Sequence, residues 1–227
     1  MKIDKASQKG YWEANKNQRP YDHPIVRFFA KQRIGYLKRY LDFRKIGSAF
    51  DVGCGDGFST YYMGQEIKKV EGGDISEHML DNNPVDRKKL RVIDAEKLDL
   101  PDDSYDLVYT WEVLHHLPHP EKAVAEMARV AKRHVVIYEP NRANVLQILW
   151  GLSQPQERGT LRSSKKYLTG LCRQAGLTVV RADYCGRILP NMTPRFAFRF
   201  LKHLPFKAGR FTGISIAVIA EKPSVQS

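Results

Sequence analysis

Short apolar runs alternate with longer amphipathic stretches through the first two thirds of the chain. The runs at 48–52, 68–74, 90–94, 105–110 and 133–138 are brief and rich in Val, Ile, Phe and Tyr, which predicts buried strands. Between them lie stretches with helical spacing. One covers 57–66, and a short one covers 76–82 before Asn82-Asn83-Pro84 breaks it. A third is opened by Pro120 and runs to Ala131, with Ala123, Val124, Met127 and Val130 on one face. Strands that alternate with helices predict an α/β fold around a parallel sheet.

The flanks read differently. Residues 1–23 are polar, with Tyr11, Trp12 and Tyr21 among Lys, Asn and Gln. Pro24 then opens a helical pattern in which Ile25, Phe28, Phe29, Ile34, Leu37 and Leu41 share a face. Beyond Asn141, the stretch 145–150 is strongly apolar and 154–162 reads as a polar loop. Ser163 or Ser164 caps a predicted helix that runs through Ala175 and stops at Gly176. Two further strands follow, at 177–184 and 213–221. The segment 190–211 between them mixes Phe196, Phe198, Phe200 and Phe206 with Arg195, Arg199, Lys202, Lys207 and Arg210. No internal repeat, low-complexity segment or linker divides the chain, which reads as a single domain over 1–227.

The candidate chemistry sits at the ends of the predicted strands. The first ends in Asp51-Val52-Gly53-Cys54-Gly55-Asp56-Gly57, a tight strand-to-helix turn with bare backbone amides. Its spacing, G-x-G-x-G, differs from the dinucleotide fingerprint because Phe58 stands where that fingerprint has its third glycine. The second strand ends in Gly72-Gly73-Asp74-Ile75, with Asp74 about 20 residues past the glycines, where an acid holds a ribose diol. The third ends in Asp94-Ala95-Glu96, and the fourth in Trp111-Glu112-Val113-Leu114-His115-His116. Polar groups at successive strand ends describe the carboxyl edge of a parallel sheet, where open α/β folds bind ligands.

These four blocks, in this order and spacing, resemble the class I S-adenosylmethionine-dependent methyltransferases, in particular the small-molecule group that includes quinone-biosynthesis enzymes. The resemblance is strong from Asp51 to Asn141 and looser beyond. It implies a Rossmann-like, seven-stranded, mostly parallel sheet in the order 3-2-1-4-5-7-6. The last strand is then antiparallel, and helices cover both faces. Residues 1–45 then form an N-terminal helical lid, 46–141 the cofactor-binding core and 142–227 the acceptor-side half. The implied cofactor is S-adenosyl-L-methionine. Gly53, Cys54, Gly55 and Gly57 line its methionine end, and Asp51 lies near its amino group. Asp74 holds the ribose hydroxyls, Ile75 packs on the adenine, and Asp94 with the Ala95 amide meets the adenine amino group. Trp111 sits near the sulfonium or the adenine.

A hydroxyl or acidic-carbon acceptor also needs a base. Imidazole titrates near neutrality, so His115 is the first candidate and His116 the second. Adjacent residues of a regular element do not face one pocket together, so one of the two is expected to pack away. Glu112 and Glu139, at strand ends, either orient a base or meet a cationic acceptor, or are solvated turn acids. His115, His116, His119 and Glu112 match no standard ligand spacing, so no metal is expected. The strand end Thr110-Trp111-Glu112-Val113 lacks the Pro-Pro-aromatic signature of nucleobase-amino methylation and any Pro-Cys nucleophile.

Charge changes the picture of partners. The formal net charge is +12, yet residues 141–227 hold 14 Lys and Arg against 3 Asp and Glu, so nearly all the excess lies after the cofactor motifs. Such asymmetry suits either an anionic partner or a merely solvated face. The expected acceptor is a small or lipid-like molecule, apolar and either neutral or anionic, with peripheral membrane contact as a further partner. Two alternatives stay open: an RNA methyltransferase or RNA-binding protein, and a protein of the same fold that binds cofactor without methyl transfer. The polar start, Met1 to Asn17, lacks the apolar core of a secretion signal, no apolar run reaches membrane-spanning length, and three cysteines form no framework. These features together give a cytoplasmic expectation.

Overall fold

A computed structural model of the chain describes residues 3–14 and 18–223. The reading of Met1 to Asn17 as a polar start therefore lies partly outside the described residues. Seven strands form one sheet: β1 (Ser48–Val52), β2 (Lys69–Asp74), β3 (Leu90–Val92), β4 (Tyr105–Trp111), β5 (Ala131–Pro140), β6 (Thr178–Cys185) and β7 (Ser215–Glu221). The order is β3-β2-β1-β4-β5-β7-β6. The first five strands pair in parallel, and β7 runs antiparallel to both β5 and β6.

The strands bury both faces because their side chains alternate between two apolar layers. Val108, Val135 and Ile137 join one cluster. It is closed by α5 (Pro120–Val130) through Ala123, Val124 and Met127, and by α7 (Lys165–Gln174) through Leu168, Leu171 and Cys172. Leu107, Tyr109, Val136 and Tyr138 join the other. It is closed by α2 (Pro24–Leu37) through Ala30, Ile34 and Leu37, and by α3 (Phe58–Met63) through Tyr62 and Met63. The α7 cap is Ser164, whose side chain accepts from the Tyr167 amide.

The stretch expected to be a helical lid begins with α1 (Lys5–Ala14), whose Gln8 donates to the Gln156 carbonyl at 2.9 Å. Two features depart from the sequence expectation. The stretch 154–162 is wound into 3-10 turns over Pro155–Arg162 and packs beside α6 (Val145–Ser153). Within 190–211 lies a short helix, α8 (Arg195–Leu201), that buries none of its residues.

The sheet order turns back on either side of β1 and β4, which places a crevice above their carboxyl ends. There β1 gives way to the glycine turn, with Gly53, Gly55 and Gly57 all at positive φ. The turn is tight at two of them. A Cβ on Gly53 would lie 2.5 Å from Val113 Cγ2, and one on Gly57 would lie 2.0 Å from Asn83 Oδ1.

Candidate functional site

A cavity of about 290 Å³ opens above these strand ends. Its floor is the glycine turn, with Gly53, Cys54 and Gly55 on the wall, followed by Asp74 and Ile75 from the end of β2 and Asp94 and Ala95 beyond β3. Trp111 closes the side formed by β4, and Lys5, Gln8 and Trp12 of α1 cover the cavity. Among the expected cofactor residues, Asp51 and Gly57 do not border it. Asp51 is fully buried and accepts hydrogen bonds from the Ser59 and Thr60 hydroxyls, which pins the first turn of α3. Desolvation pushes its carboxyl up to about 7, opposed by those hydroxyls. Its Oδ2 therefore supports the turn from beneath, while Oδ1 is buried without a hydrogen-bond partner among the described residues.

Asp74 stands at the rim with both oxygens fixed. Oδ2 accepts from the Gly55 amide at 3.0 Å, and Oδ1 accepts from the Ser76 amide at 2.9 Å. Burial raises its pKa against the pull of these backbone bonds. Asp94 is more committed than expected. Oδ1 takes the Glu96 amide at 2.9 Å, and Oδ2 takes Lys5 Nζ at 2.6 Å, so an adenine amino group there would share an oxygen with α1.

These residues fit the nucleoside that the sequence pattern implies. At Gly55 an added Cβ would find Met79 Cε at 3.4 Å as its nearest neighbour, and both residues line the cavity, so bare backbone keeps that cradle open. The Trp111 indole N–H is buried without a hydrogen-bond partner among the described residues. Phe29 and Phe58 stand with Trp111 on the wall and give the site an apolar, water-excluding side.

The two histidines depart from expectation together. Both border the same cavity, because Leu114–His116 is a 3-10 turn rather than a regular strand or helix end, and their ring centroids are 3.9 Å apart. His115 is held on both nitrogens, with Nδ1 2.8 Å from Glu139 Oε2 and Nε2 3.2 Å from Glu157 Oε2. Desolvation lowers its pKa, but the Glu139 charge and the bonds to both carboxylates outweigh it and raise the ring to about 10. An imidazolium with both N–H groups engaged has no lone pair for a substrate proton, so the first-choice base does not suit this geometry. His116 is the opposite case. Burial, then the charge on His115, pushes it down to about 4, so the ring is neutral. Its Nδ1 lies 3.1 Å from the Gln156 carbonyl and therefore carries the proton, and Trp12 meets the ring edge-on at 5.1 Å.

Glu157 completes this cluster from the 3-10 turns. Burial works against its ionisation, but the two imidazoles beside it and the His115 hydrogen bond hold it down to about 2. Ligand atoms of His115, His116 and Glu157 lie within 4.8 Å of one another, the spacing of a three-ligand metal site, although the carboxylates are already spent on the His115 ring. Nothing in the local sequence marks Glu157, which lies 42 residues from its partner. At the far wall Glu112 holds a positive φ of 62°. Its carboxylate is gripped by buried Arg33 of α2 and by Ser215 Oγ at 3.0 Å. Gln147 and Trp150 of α6, and Leu189 to Met192, finish the lining.

The paired His115 makes a prediction about pH. Its folded-state pKa lies above its ordinary 6.5, so its contribution to stability is complete below about 6.5 and is lost as pH rises towards 10. Denaturant midpoints measured from neutral to alkaline pH are expected to fall for the natural protein and to lose that slope in His115→Gln. Parallel profiles for the two would remove the charge from the account.

A family described as "Methyltransferase domain" matches residues 50–138. A phosphatidylethanolamine N-methyltransferase of Cereibacter sphaeroides is 35% identical over 97 residues, covering 38% of this chain and 46% of that protein. A ubiquinone biosynthesis O-methyltransferase of Nitrosomonas europaea is 27% identical over 214 residues, covering 89% of this chain and 76% of that one. The chain spans about half the length of several other curated relatives it matches. Among solved structures, a SAM-dependent methyltransferase of Thermotoga maritima superposes with a TM-score of 0.65 at 19% identity, covering 88% of this chain and 91% of that one, which shows a shared fold.

Proposed function

We propose that the chain is a class I S-adenosylmethionine-dependent methyltransferase that transfers a methyl group to a small, apolar or lipid-like acceptor bearing a hydroxyl or amine. The observation that carries this reading is one continuous cavity with two chemically different ends. The glycine turn, Asp74 and Asp94 line one end, and Trp111, Glu112, His116, Gln147, Trp150, Leu189 and Met192 line the other. Bound S-adenosylmethionine supplies a methyl group on a sulfonium, which a nucleophile takes by in-line displacement.

The residues of the chain then have separable tasks. Asp74 binds the ribose diol, because a carboxylate already oriented by two amides keeps further lone pairs for two hydroxyls. The bare backbone at Gly55 leaves room for the methionine end. Trp111, Phe29 and Phe58 exclude water and present aromatic faces, which attract a cationic sulfur by about 0.5–2 kcal/mol. His116, neutral and protonated on Nδ1, offers Nε2 to the proton of an acceptor hydroxyl. His115 positions the turn that carries it. The named relatives, one for phosphatidylethanolamine and one for ubiquinone biosynthesis, support an acceptor of amphiphilic kind.

The test is transfer of labelled methyl groups from S-adenosylmethionine into a cell extract, followed by organic extraction. Label is expected in the organic phase with the natural protein and at least about tenfold less with His116→Ala, given the usual weight of general-base catalysis. Cofactor binding with no labelled fraction in any phase would overturn methyl transfer.

A further inference from the structure

We propose that α6 and the segment Pro190–Phe211 form a docking surface for an anionic lipid bilayer. The proposal deepens the acceptor reading above, but the surface itself stands on independent observations.

The first is that α6 is turned inside out. Its buried residues are Gln147 and Gly151, while Val145, Leu146, Leu149 and Leu152 are 56–62% exposed. An ordinary surface helix buries its leucines and exposes its glutamine. Here Gln147 is drawn inward because its amide donates to the Ile214 carbonyl at 3.1 Å. The second is α8, in which Phe198 packs edge-on against Phe28 of α2 while Phe196 and Phe200 are 72% and 75% exposed. Phe211, at 69% exposed, lies beyond it. The start of α6 is tied to the end of this segment. Asn144 caps α6 and donates Nδ2 to the Phe211 carbonyl at 3.0 Å, and Asn141 donates to the Arg210 and Gly213 carbonyls. A cluster of exposed Leu and Phe of this kind marks an interaction surface.

Charge complementarity identifies the occupant. Pro190–Phe211 carries Arg195, Arg199, Lys202, Lys207 and Arg210 and no carboxylate. Of these, Lys207 reaches Asp183 at 3.6 Å, and the others make no ion pair among the described residues. The three acids after residue 141 are engaged elsewhere: Glu157 with His115, Asp183 with Arg181 and Glu221 with His134. The face therefore combines apolar side chains with cations and lacks negative charge. Side chains of that mixture enter the headgroup and acyl boundary while Lys and Arg meet lipid phosphates. The exposed side chains of α6, Val145, Leu146, Leu149 and Leu152, are aliphatic and offer no stacking face to a nucleotide base, which favours a bilayer over a nucleic acid.

The surface also adjoins the cavity. Gln147 and Trp150 of α6 and Leu189 to Met192 before α8 line it, so docking would set an amphiphilic acceptor's point of approach beside the site.

The test is co-sedimentation of the full chain with vesicles of phosphatidylcholine alone and of phosphatidylcholine mixed with phosphatidylglycerol. Binding to the anionic vesicles is expected to be at least about tenfold tighter and to weaken with salt. Leu149→Glu with Phe200→Glu, and separately Arg199→Glu with Lys202→Glu, are each expected to weaken it by about tenfold or more. All four side chains are exposed, so melting temperature and S-adenosylhomocysteine affinity should stay at the natural values. A natural protein that stays in the supernatant with both vesicle types, or variants that sediment as it does, would overturn the proposal. A dimer or an RNA complex abolished by the same variants, without vesicle binding, would overturn it too. Loss of vesicle binding with intact cofactor affinity tests the surface, whereas loss of cofactor affinity tests the methyltransferase reading, so the two failures are distinguishable.

Discussion

Asp74→Ala is expected to weaken S-adenosylhomocysteine binding by at least about 100-fold in a calorimetric titration. Its two oxygens are held by the Gly55 and Ser76 amides at 3.0 and 2.9 Å, which orients the carboxylate before any ligand arrives. A ribose diol donating to it would form two hydrogen bonds to a charged group, each worth about 1.5–3 kcal/mol. Losing about 3 kcal/mol already exceeds a hundredfold change in affinity. The substitution also frees the Gly55 amide, while the Gly53 and Cys54 amides keep the turn on the Gly73 carbonyl at the end of β2. Asp74→Asn keeps one acceptor oxygen and should fall between the two. Unchanged affinity in the alanine variant would take Asp74 out of the site.

Glu139→Ala is expected to cost about 3–5 kcal/mol of folding stability, the range for breaking a buried pair by removing one partner. Glu139 is fully buried at the end of β5 and serves four donors. Oε1 accepts from the Val113 and Leu114 amides at 2.8 and 2.7 Å, and Oε2 accepts from the His115 amide at 3.1 Å and its ring Nδ1 at 2.8 Å. Alanine would leave three amides without partners and an imidazolium facing an empty space. Denaturant midpoints for Glu139→Ala, His115→Gln and the double variant form a cycle. The double variant should be less destabilised than the sum, because removing the ring removes the charge that Glu139 answers. A loss under about half a kcal/mol would mean that the carboxylate does not build the turn.

What the sequence disclosed follows from how local each signal is. The glycine turn and Asp74 were legible because strand, turn and acid lie within one short stretch, and the structure brings Gly53, Cys54, Gly55, Asp74, Ile75, Asp94, Ala95 and Trp111 to one cavity. The strand order 3-2-1-4-5-7-6 came with the resemblance and matches the sheet. The placement of Asp51 was hidden because motif spacing says nothing about which way a strand-end carboxylate turns. It turned towards Ser59 and Thr60 of α3. The state of His115 was hidden for a different reason. It depends on Glu139 and Glu157, 24 and 42 residues away, and no periodicity connects them. The helix α8 escaped because Phe196, Phe198 and Phe200 alternate with a period of two, the pattern of a strand.

Charge and cofactor chemistry separate along the chain. The half that carries the glycine turn is nearly neutral, and four of its carboxylates, Asp56, Asp74, Asp94 and Glu112, line the cavity. The other half is basic and turns apolar side chains outward beside the cavity mouth.

The central claim is that the cavity above β1, β2 and β4 holds the nucleoside. Crystals grown with S-adenosylhomocysteine test it directly. The account predicts ligand density there, with the ribose hydroxyls on Asp74 and the amino-acid end against Gly53 to Gly55. A ligand bound at another surface, or a cavity filled instead by Lys5 and Trp12 of α1 in the presence of saturating ligand, would contradict it.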